Sequence, residues 1–421
     1  MRRRTTAVLA VSQVLGGLGV ATAIALAAVL AEDVSGSKAL SGLASTASVV
    51  GTALLSVPLA AVMAARGRRP GLTLAYLIAA AGGAVVVAAA ALGSFWLLLA
   101  GMAAFGAGSS ANLQARYAAA DLAEPRQRGR AISLVVWATT VGAVAGPNLA
   151  GPAGRSVASF GVPLAAGPFV WGTVIFLVAG VAVWALLRPD PLLTARALAA
   201  VDAGEPASGH GVRAGWTAVA ASPRAVLALV AVTTAHTVMV SVMVMTPVDL
   251  SHHGAGVELI GLVISVHIAG MYAFSPVMGW LADRLGRLAV LGLGGVLLAV
   301  ATLLAGTAGA GHAQSAAGLF LLGLGWSAGL VAGSALLTDS VPQAARAAAQ
   351  GLSDLAMNAA AGVGGALSGL IVARAGYGWL NALAAALLVP AAVLLLRRPP
   401  EAPSGATGRR KGGGRPADGT S

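Results

Sequence analysis

Apolar residues fill twelve long blocks of this chain, at residues 7–30, 39–65, 71–92, 94–118, 131–153, 166–187, 224–248, 257–281, 288–308, 314–338, 347–373 and 376–396. Arg, Gly and Pro crowd the breaks between them. A helix needs about 20 mostly apolar residues to cross the hydrocarbon core of a bilayer, where its backbone polar groups must be bonded internally. Every block meets that length, so the pattern predicts an all-α membrane protein with twelve transmembrane helices. One break is longer than the rest: residues 189–223, with charges, Gly and Pro, read as a loop that separates a six-helix half at 1–188 from a second at 224–396. Residues 397–421 are rich in Gly, Pro and Arg and nearly devoid of apolar side chains, which predicts a disordered basic tail.

Composition agrees with burial in lipid. Of 421 residues 57% are hydrophobic and 10% charged, against the roughly 25% charged residues of soluble domains, so a water-soluble globule is excluded. Cysteine is absent, which removes disulfides, thiolate metal sites and cysteine nucleophiles. No spacing of His, Asp and Glu suggests a metal; His252 and His253 adjoin without a third ligand. No cofactor is expected. The formal charge of +12 has a topological cause. Lys and Arg are retained on the cytoplasmic side during insertion. With both termini in the cytoplasm, every basic residue but Lys38, Arg155 and Arg374 falls on that side. Nucleic acid is therefore not an expected partner. The start MRRR precedes an apolar run too long for a cleaved signal, so it reads as a retained first span in the cell membrane.

Features recur across the central break at a nearly constant offset of about 218 residues. Gly67 and Arg68 match Gly286 and Arg287, Asp121 and Arg128 match Asp339 and Arg346, and Gly146 and Gly151 match Gly364 and Gly369. Two such halves imply a site between them that is exposed alternately by rocking one half against the other. That is a transporter's construction. A membrane enzyme would need a concentration of His, Asp or Glu near one interface, and none is visible; a Gly-x-x-x-x-Gly-Lys nucleotide loop is also missing, which points to an ion gradient as energy source.

The string GWLADRLGR, Gly279 to Arg287, resembles the signature loop of the major facilitator superfamily. The resemblance implies that superfamily's two-half fold and a charge latch on the cytoplasmic side. The latch would be built from Gly279, Asp283, Arg284, Gly286 and Arg287, with the repeat-related Asp121, Arg128, Asp339 and Arg346. The equivalent first loop, AAVMAARGRRP, keeps Gly67, Arg68 and Arg69 but has Ala60 and Ala64 where the family's Gly and Asp would stand. An incomplete first latch, and hence asymmetry between the halves, is expected. In the fifth span GAVAGPNLAGP, Gly142 to Pro152, resembles the Gly-Pro motif of proton-coupled drug antiporters in this superfamily. Gly142 and Gly146 permit close helix contact, Pro147 bends the helix, and Gly151 continues the pattern. Plain tight packing is the alternative reading.

Ionisable groups at membrane depth are functional candidates, because they are expensive to hold there unpaired. His236 and His267 lie midway along spans seven and eight, where a histidine can shuttle a proton or sit neutral in the core. Asp354, two turns inside span eleven with Asn358 one turn beyond, is the leading proton carrier. The family resemblance offers Arg116 in span four for proton coupling; pairing with Asp121 or reaching to the lipid surface are its alternatives. Asn112, Trp137, Thr140, Asn148, Tyr272, Trp326 and Asn358 are candidates to line a cavity for an amphipathic solute. Asp249, His252, His253 and Glu258 form an outer cluster. The expectation is a monomeric, proton-coupled efflux antiporter for a small, moderately apolar compound. The alternatives are uptake by symport, or a receptor or assembly protein that keeps the fold without transport.

Overall fold

A computed structural model describes residues 2–37, 40, 42–202 and 211–397; the tail beyond Arg397 lies outside the described residues. Among these the regular structure is wholly helical. In the first half it comprises α1 (Arg2–Ser35), α2 (Gly42–Arg66), α3 (Arg68–Leu92), α4 (Phe95–Phe105), α5 (Ala107–Asp121), α6 (Arg128–Val157) and α7 (Gly167–Leu186). The central segment holds α8 (Pro191–Asp202) and α9 (Val212–Ala220). The second half runs through α10 (Pro223–His252), α11 (Val257–Ile268), α12 (Ser275–Arg284), α13 (Arg287–Thr307), α14 (His312–Ser340), α15 (Arg346–Ala375), α16 (Tyr377–Ala386) and α17 (Val389–Leu396).

These helices make twelve candidate membrane spans. Three spans are interrupted. The fourth breaks at Gly106, between α4 and α5; the eighth passes through a π-helical turn at Ala269–Ala273 between α11 and α12; the twelfth breaks between α16 and α17. The central segment corrects its reading as a loop. Its charges and prolines suggested irregular chain, but Asp190 caps α8, with Oδ1 accepting from Leu192 N at 3.0 Å and Leu193 N at 3.1 Å. Leu192 then buries against Ala64 and Ala347. Ser222 caps α10 in the same way, accepting from Ala225 N at 3.3 Å.

One apolar core is drawn from α1 to α7 around Tyr76, Phe105, Phe169 and Phe176. Two others are drawn mainly from α10 to α16. An even number of spans puts both ends of the chain, and the central segment, at one end of the bundle. There the two corresponding loops share a conformation: Gly67 has φ 97° and Gly286 φ 95°, a left-handed region that a side chain would strain. Among the described residues the polar bonds joining the halves lie at this end or a few turns inside it. Two helix crossings close it. At the α6–α12 crossing Gly279 meets Ser133, and at the related α2–α15 crossing Ala60 meets Gly351. The small residue has changed sides, so the summed bulk at each crossing stays low enough for close approach.

Candidate functional site

A cavity of about 320 Å³ lies between the halves. From the first half Gln13, Asn112, Arg116 and Thr139 line it, and from the second His236, Tyr272, Trp326 and Asn358. Its wall in the second half is aromatic. Trp326 Nε1 donates to His236 Nδ1 at 2.8 Å, and Tyr272 packs edge-on to Trp326 with ring centroids 5.5 Å apart. Met239 and Met271 complete that side. The opposite wall is an amide and hydroxyl array: Gln13 Nε2 donates to Thr139 Oγ1 at 3.1 Å, and Asn112 Oδ1 accepts from the Tyr76 hydroxyl at 3.2 Å. A second cavity, about 470 Å³ among α10, α13 and α17, is lined almost wholly by aliphatic side chains and glycines. It has none of this convergent polarity.

The floor of the central cavity is an ion pair that bridges the halves. Arg116, on α5, donates through Nη2 to Asp354 Oδ1 on α15 at 2.7 Å; the two side chains are 1% and 0% exposed. Gln114 Nε2 serves the other carboxylate oxygen at 2.7 Å, and Arg116 Nε reaches Ser334 Oγ at 3.1 Å. Removing one member of such a buried pair is strongly destabilising, by about 3–5 kcal/mol, because the remaining charge is stranded. Hence the alternatives of pairing with Asp121 or reaching to lipid are corrected. Asp121 is taken by Arg68, whose Nε lies 2.8 Å from Oδ2, both side chains fully buried.

One turn further out the seal is completed. Asp283 accepts from the first N–H groups of α6, Gly129 N at 3.0 Å and Arg130 N at 2.8 Å, so its negative charge sits on the positive end of a helix from the other half. Arg287 Nη1 holds the same carboxylate at 2.6 Å, and Arg287 also reaches the Pro125 carbonyl. Asp339 receives Arg128 from across the seam, with Arg287 Nε at 3.4 Å. Two latch candidates make no hydrogen bond within this network, although Arg346 lies within electrostatic reach of Asp121, Arg128 and Asp339. Arg284 is exposed and lies over the Trp280 ring, and Arg346 bonds Gln343 in its own loop.

The first-half loop has its own version of the seal. Arg68 reaches across to Gln350, and Gly67 lies against Asp190, which accepts from Arg69 N at 2.7 Å. Where the missing acid would stand, Ala64 packs on Ala347, and its carbonyl accepts from Arg196 of α8. The central helix thus covers the incomplete loop.

Other placements follow from helix register. On α6 the cavity takes Val136, Thr139 and Ala143, whereas the candidates Trp137, Thr140 and Asn148 are one residue off that stripe. Trp137 is 43% exposed in a groove with Arg3 and Arg130, and Asn148 is exposed, bonded to Val144 O. His267 is buried away from the cavity, with Nδ1 2.8 Å from Leu319 O. Gly142 packs on Gly17 and Leu18, and Gly146 on Ala21 and Thr22, which fastens α6 to α1 within the first half. The helix runs unbroken through Pro147, and Gly151 has open space beside it apart from Arg155. In the outer cluster His253 Nδ1 lies 3.6 Å from Asp249, while the Glu258 side chain lies outside the described residues. Gln13, Thr139, Ser334 and Gln350 escaped the sequence reading; Gln350, one turn before Asp354 on α15, had helical spacing to flag it, Ser334 stands at the 218-residue repeat offset from Arg116, and Gln13 and Thr139 carry no such signal.

Comparison with known proteins agrees with this architecture. The family model for the Major Facilitator Superfamily matches residues 9–254 and 227–419. The uncharacterized MFS-type transporter YdeG of Bacillus subtilis is 38% identical over 392 residues, covering 92% of this chain and 91% of its own. The riboflavin transporter RfnT of Brucella anthropi is 30% identical over 393 residues, covering 92% of this chain and 95% of its own. The solved structure of the proton:xylose symporter XylE superposes with a TM-score of 0.73 at 16% identity, over 95% of this chain and 96% of that one, a likeness of fold.

Proposed function

The chain belongs to the major facilitator superfamily, whose members are transporters rather than enzymes, and on that premise we propose that it carries a small organic solute by alternating access, coupled to protons through Asp354. The observation that carries this reading is the Arg116–Asp354 pair at 2.7 Å, which forms the cavity floor and crosses from one half to the other. Protonation of Asp354 removes the charge that holds Arg116, and separation of the halves takes Arg116 away from Asp354. The two events favour each other, which is what coupling a proton to a rocking motion requires. With the Arg-rich loops in the cytoplasm, the sealed end is the cytoplasmic one and the cavity faces outward. The plasma membrane, with both termini inside, is the setting this orientation implies.

The solute reading rests on the cavity walls. An aromatic wall of Trp326, Tyr272 and His236 facing amides and hydroxyls suits a planar ring with polar edges. The relative named as a riboflavin transporter, a carrier of a planar heteroaromatic compound, supports that class.

Two directions of coupling each have an observation in favour. Efflux by exchange with protons is supported by the resemblance of the Gly142–Pro152 run to antiporters. Cotransport is supported by Arg116, which lines the cavity and keeps one buried nitrogen without a partner, so that an anionic solute and a proton on Asp354 would load together.

Proteoliposomes with an imposed pH gradient test the proposal, with labelled riboflavin and a panel of planar heteroaromatic compounds as probes. Asp354→Asn is expected to abolish proton-driven movement and leave exchange between labelled and unlabelled solute intact. Proton-driven transport at the parent rate in that variant would remove Asp354 from the mechanism.

A further inference from the structure

We infer that the floor of the central cavity is a subsite for a negatively charged group of the solute, with Nη1 of Arg116 as its donor. The inference rests on the transport reading and narrows its substrate class to planar aromatic anions.

Three observations carry it. The guanidinium is 1% exposed and two of its nitrogens are engaged: Nε with Ser334 Oγ at 3.1 Å, and Nη2 with Asp354 Oδ1 at 2.7 Å and Tyr117 Oη at 3.3 Å. Nη1 is buried without a partner among the described residues. Buried donors on a charged group are rarely left so, because the desolvation is then uncompensated. Arg116 lines the cavity, and although Nη1 itself is covered in this form, a turn of the guanidinium toward a ligand at the floor lets that ligand supply the missing acceptor.

The second observation is the character of the other lining groups. None of the described residues lining the cavity is acidic; Asp354 lies beneath it, already bonded to both Arg116 and Gln114. A cationic solute finds no counter-ion there, and an anion does. The third is His236. Its Nδ1 accepts the Trp326 N–H at 2.8 Å, so in the neutral ring the proton sits on Nε2, making it a donor. The ring over which a planar solute would lie thus adds an edge that favours an acceptor.

The sign of proton linkage follows. The charged and titratable groups around Asp354 are Arg116 and Tyr117 on α5, Arg68 on α3 and His236 on α10. An anion bound on Nη1 competes with Asp354 for the same cation and repels its carboxylate. Anion and proton therefore bind more readily together than apart, and reciprocally. For such solutes the cycle is cotransport.

The test uses full-length protein in lipid nanodiscs and matched pairs of probes, 2-naphthoate with 2-naphthamide and quinoline-2-carboxylate with its amide, with binding measured calorimetrically at two pH values. The acids should bind about ten- to a hundredfold more tightly than their amides, more so at the lower pH. Arg116→Gln should erase that preference. Asp354→Asn removes the internal competitor and should tighten acid binding while abolishing its pH dependence, a gain that a misfolded protein cannot show. Amides binding as well as acids in the parent, or acids weakened in Asp354→Asn, would overturn the subsite. If proton-driven transport of riboflavin persists while acid preference is absent, the subsite fails and the transport reading stands. If acids bind but no solute follows the pH gradient, the reverse holds.

Discussion

Replacing Asp283 by Asn should loosen closure at the end of the bundle that bears the termini, by an amount the geometry sets. In the closed form the carboxylate accepts from Gly129 N at 3.0 Å and Arg130 N at 2.8 Å in the opposite half, and from Arg287 Nη1 at 2.6 Å in its own. The first two bonds exist only while the halves touch. Hydrogen bonds to charged groups contribute about 1.5–3 kcal/mol each. An amide keeps one acceptor oxygen and no charge, so one bond across the seam is lost and the other weakened. Water reaches the freed N–H once the end opens, and the side chain is only partly buried, which pulls the difference down to about 2 kcal/mol. At roughly 1.4 kcal/mol per factor of ten, the closed-to-open ratio falls about 30-fold. A chain without cysteine allows this to be read directly. Ser353 is fully buried at the seam, 3.5 Å from Tyr117 Oη, so a thiol placed there by Ser353→Cys reacts with a maleimide only from the open form. In nanodiscs the labelling rate should rise on the order of tenfold or more when Asp283→Asn is added. A rate within about twofold of the parent would show that these bonds do not hold the halves together.

Gly279→Ala should open the same end, because a methyl there meets the Ser133 side chain and the Gly129 carbonyl, and adding Ser133→Gly should restore closure, since Ala60 already sits opposite Gly351 at the related crossing. Labelling at Cys-substituted Ser353 reads both, and a double variant as open as Gly279→Ala would refute the idea of an exchanged small residue. Asp190→Ala removes the cap of α8 and the acceptor of Arg69 N. It should cost about 1–2 kcal/mol locally, seen as roughly tenfold faster amide exchange over residues 191–202; unchanged exchange would mean that the central helix is held by other contacts. His267→Ala should lower thermal stability through loss of the bond to Leu319 O and the packing around it, and leave the pH profile of transport unaltered. A displaced profile would return His267 to the proton path.

The helix count and the paired loops were legible because their signals are additive: hydropathy sums over 20 or more residues per span, and Gly67–Arg68 and Gly286–Arg287 repeat as short strings. Side-chain orientation was not. On α6 the difference between Thr139 at the cavity and Trp137 in the groove with Arg3 and Arg130 is one of helical phase, about 100° per residue, and in a chain of 57 glycines and abundant alanine neither face has a distinguishing composition. Asp354 could be picked out since an acid is rare at that depth, but its partner could not. Arg116 and Asp354 stand 238 residues apart, whereas Asp121 is near in sequence, and proximity along the chain favoured the wrong acid. The covering of the incomplete first loop by α8 was illegible for a different reason, because an alanine-rich stretch between prolines carries no sign of what it will dock against.

The Arg116–Asp354 pair and the seal are parts of one face. On α15, Gln350, Asp354 and Asn358 follow at intervals of four, so they form a stripe about 12 Å long down one side of the helix. Gln350 meets Arg68 in the seal, Asp354 meets Arg116 at the cavity floor, and Asn358 lines the cavity itself. On α5 Asn112 stands at the cavity and Arg116 at the floor, while Asp121, turned toward α3, holds the Arg68 that reaches Gln350 in the seal. Since an α-helix transmits displacement along its axis without stretching, a solute that shifts Asn358 or Arg116 must also shift Gln350 and Asp121. No separate relay between the cavity and the closed end is needed. On the proposed mechanism the coupling is built from the spacing of polar residues on two helices, one from each half, and its strength is the difference between the seam with its ion pair formed and the seam with Asp354 protonated.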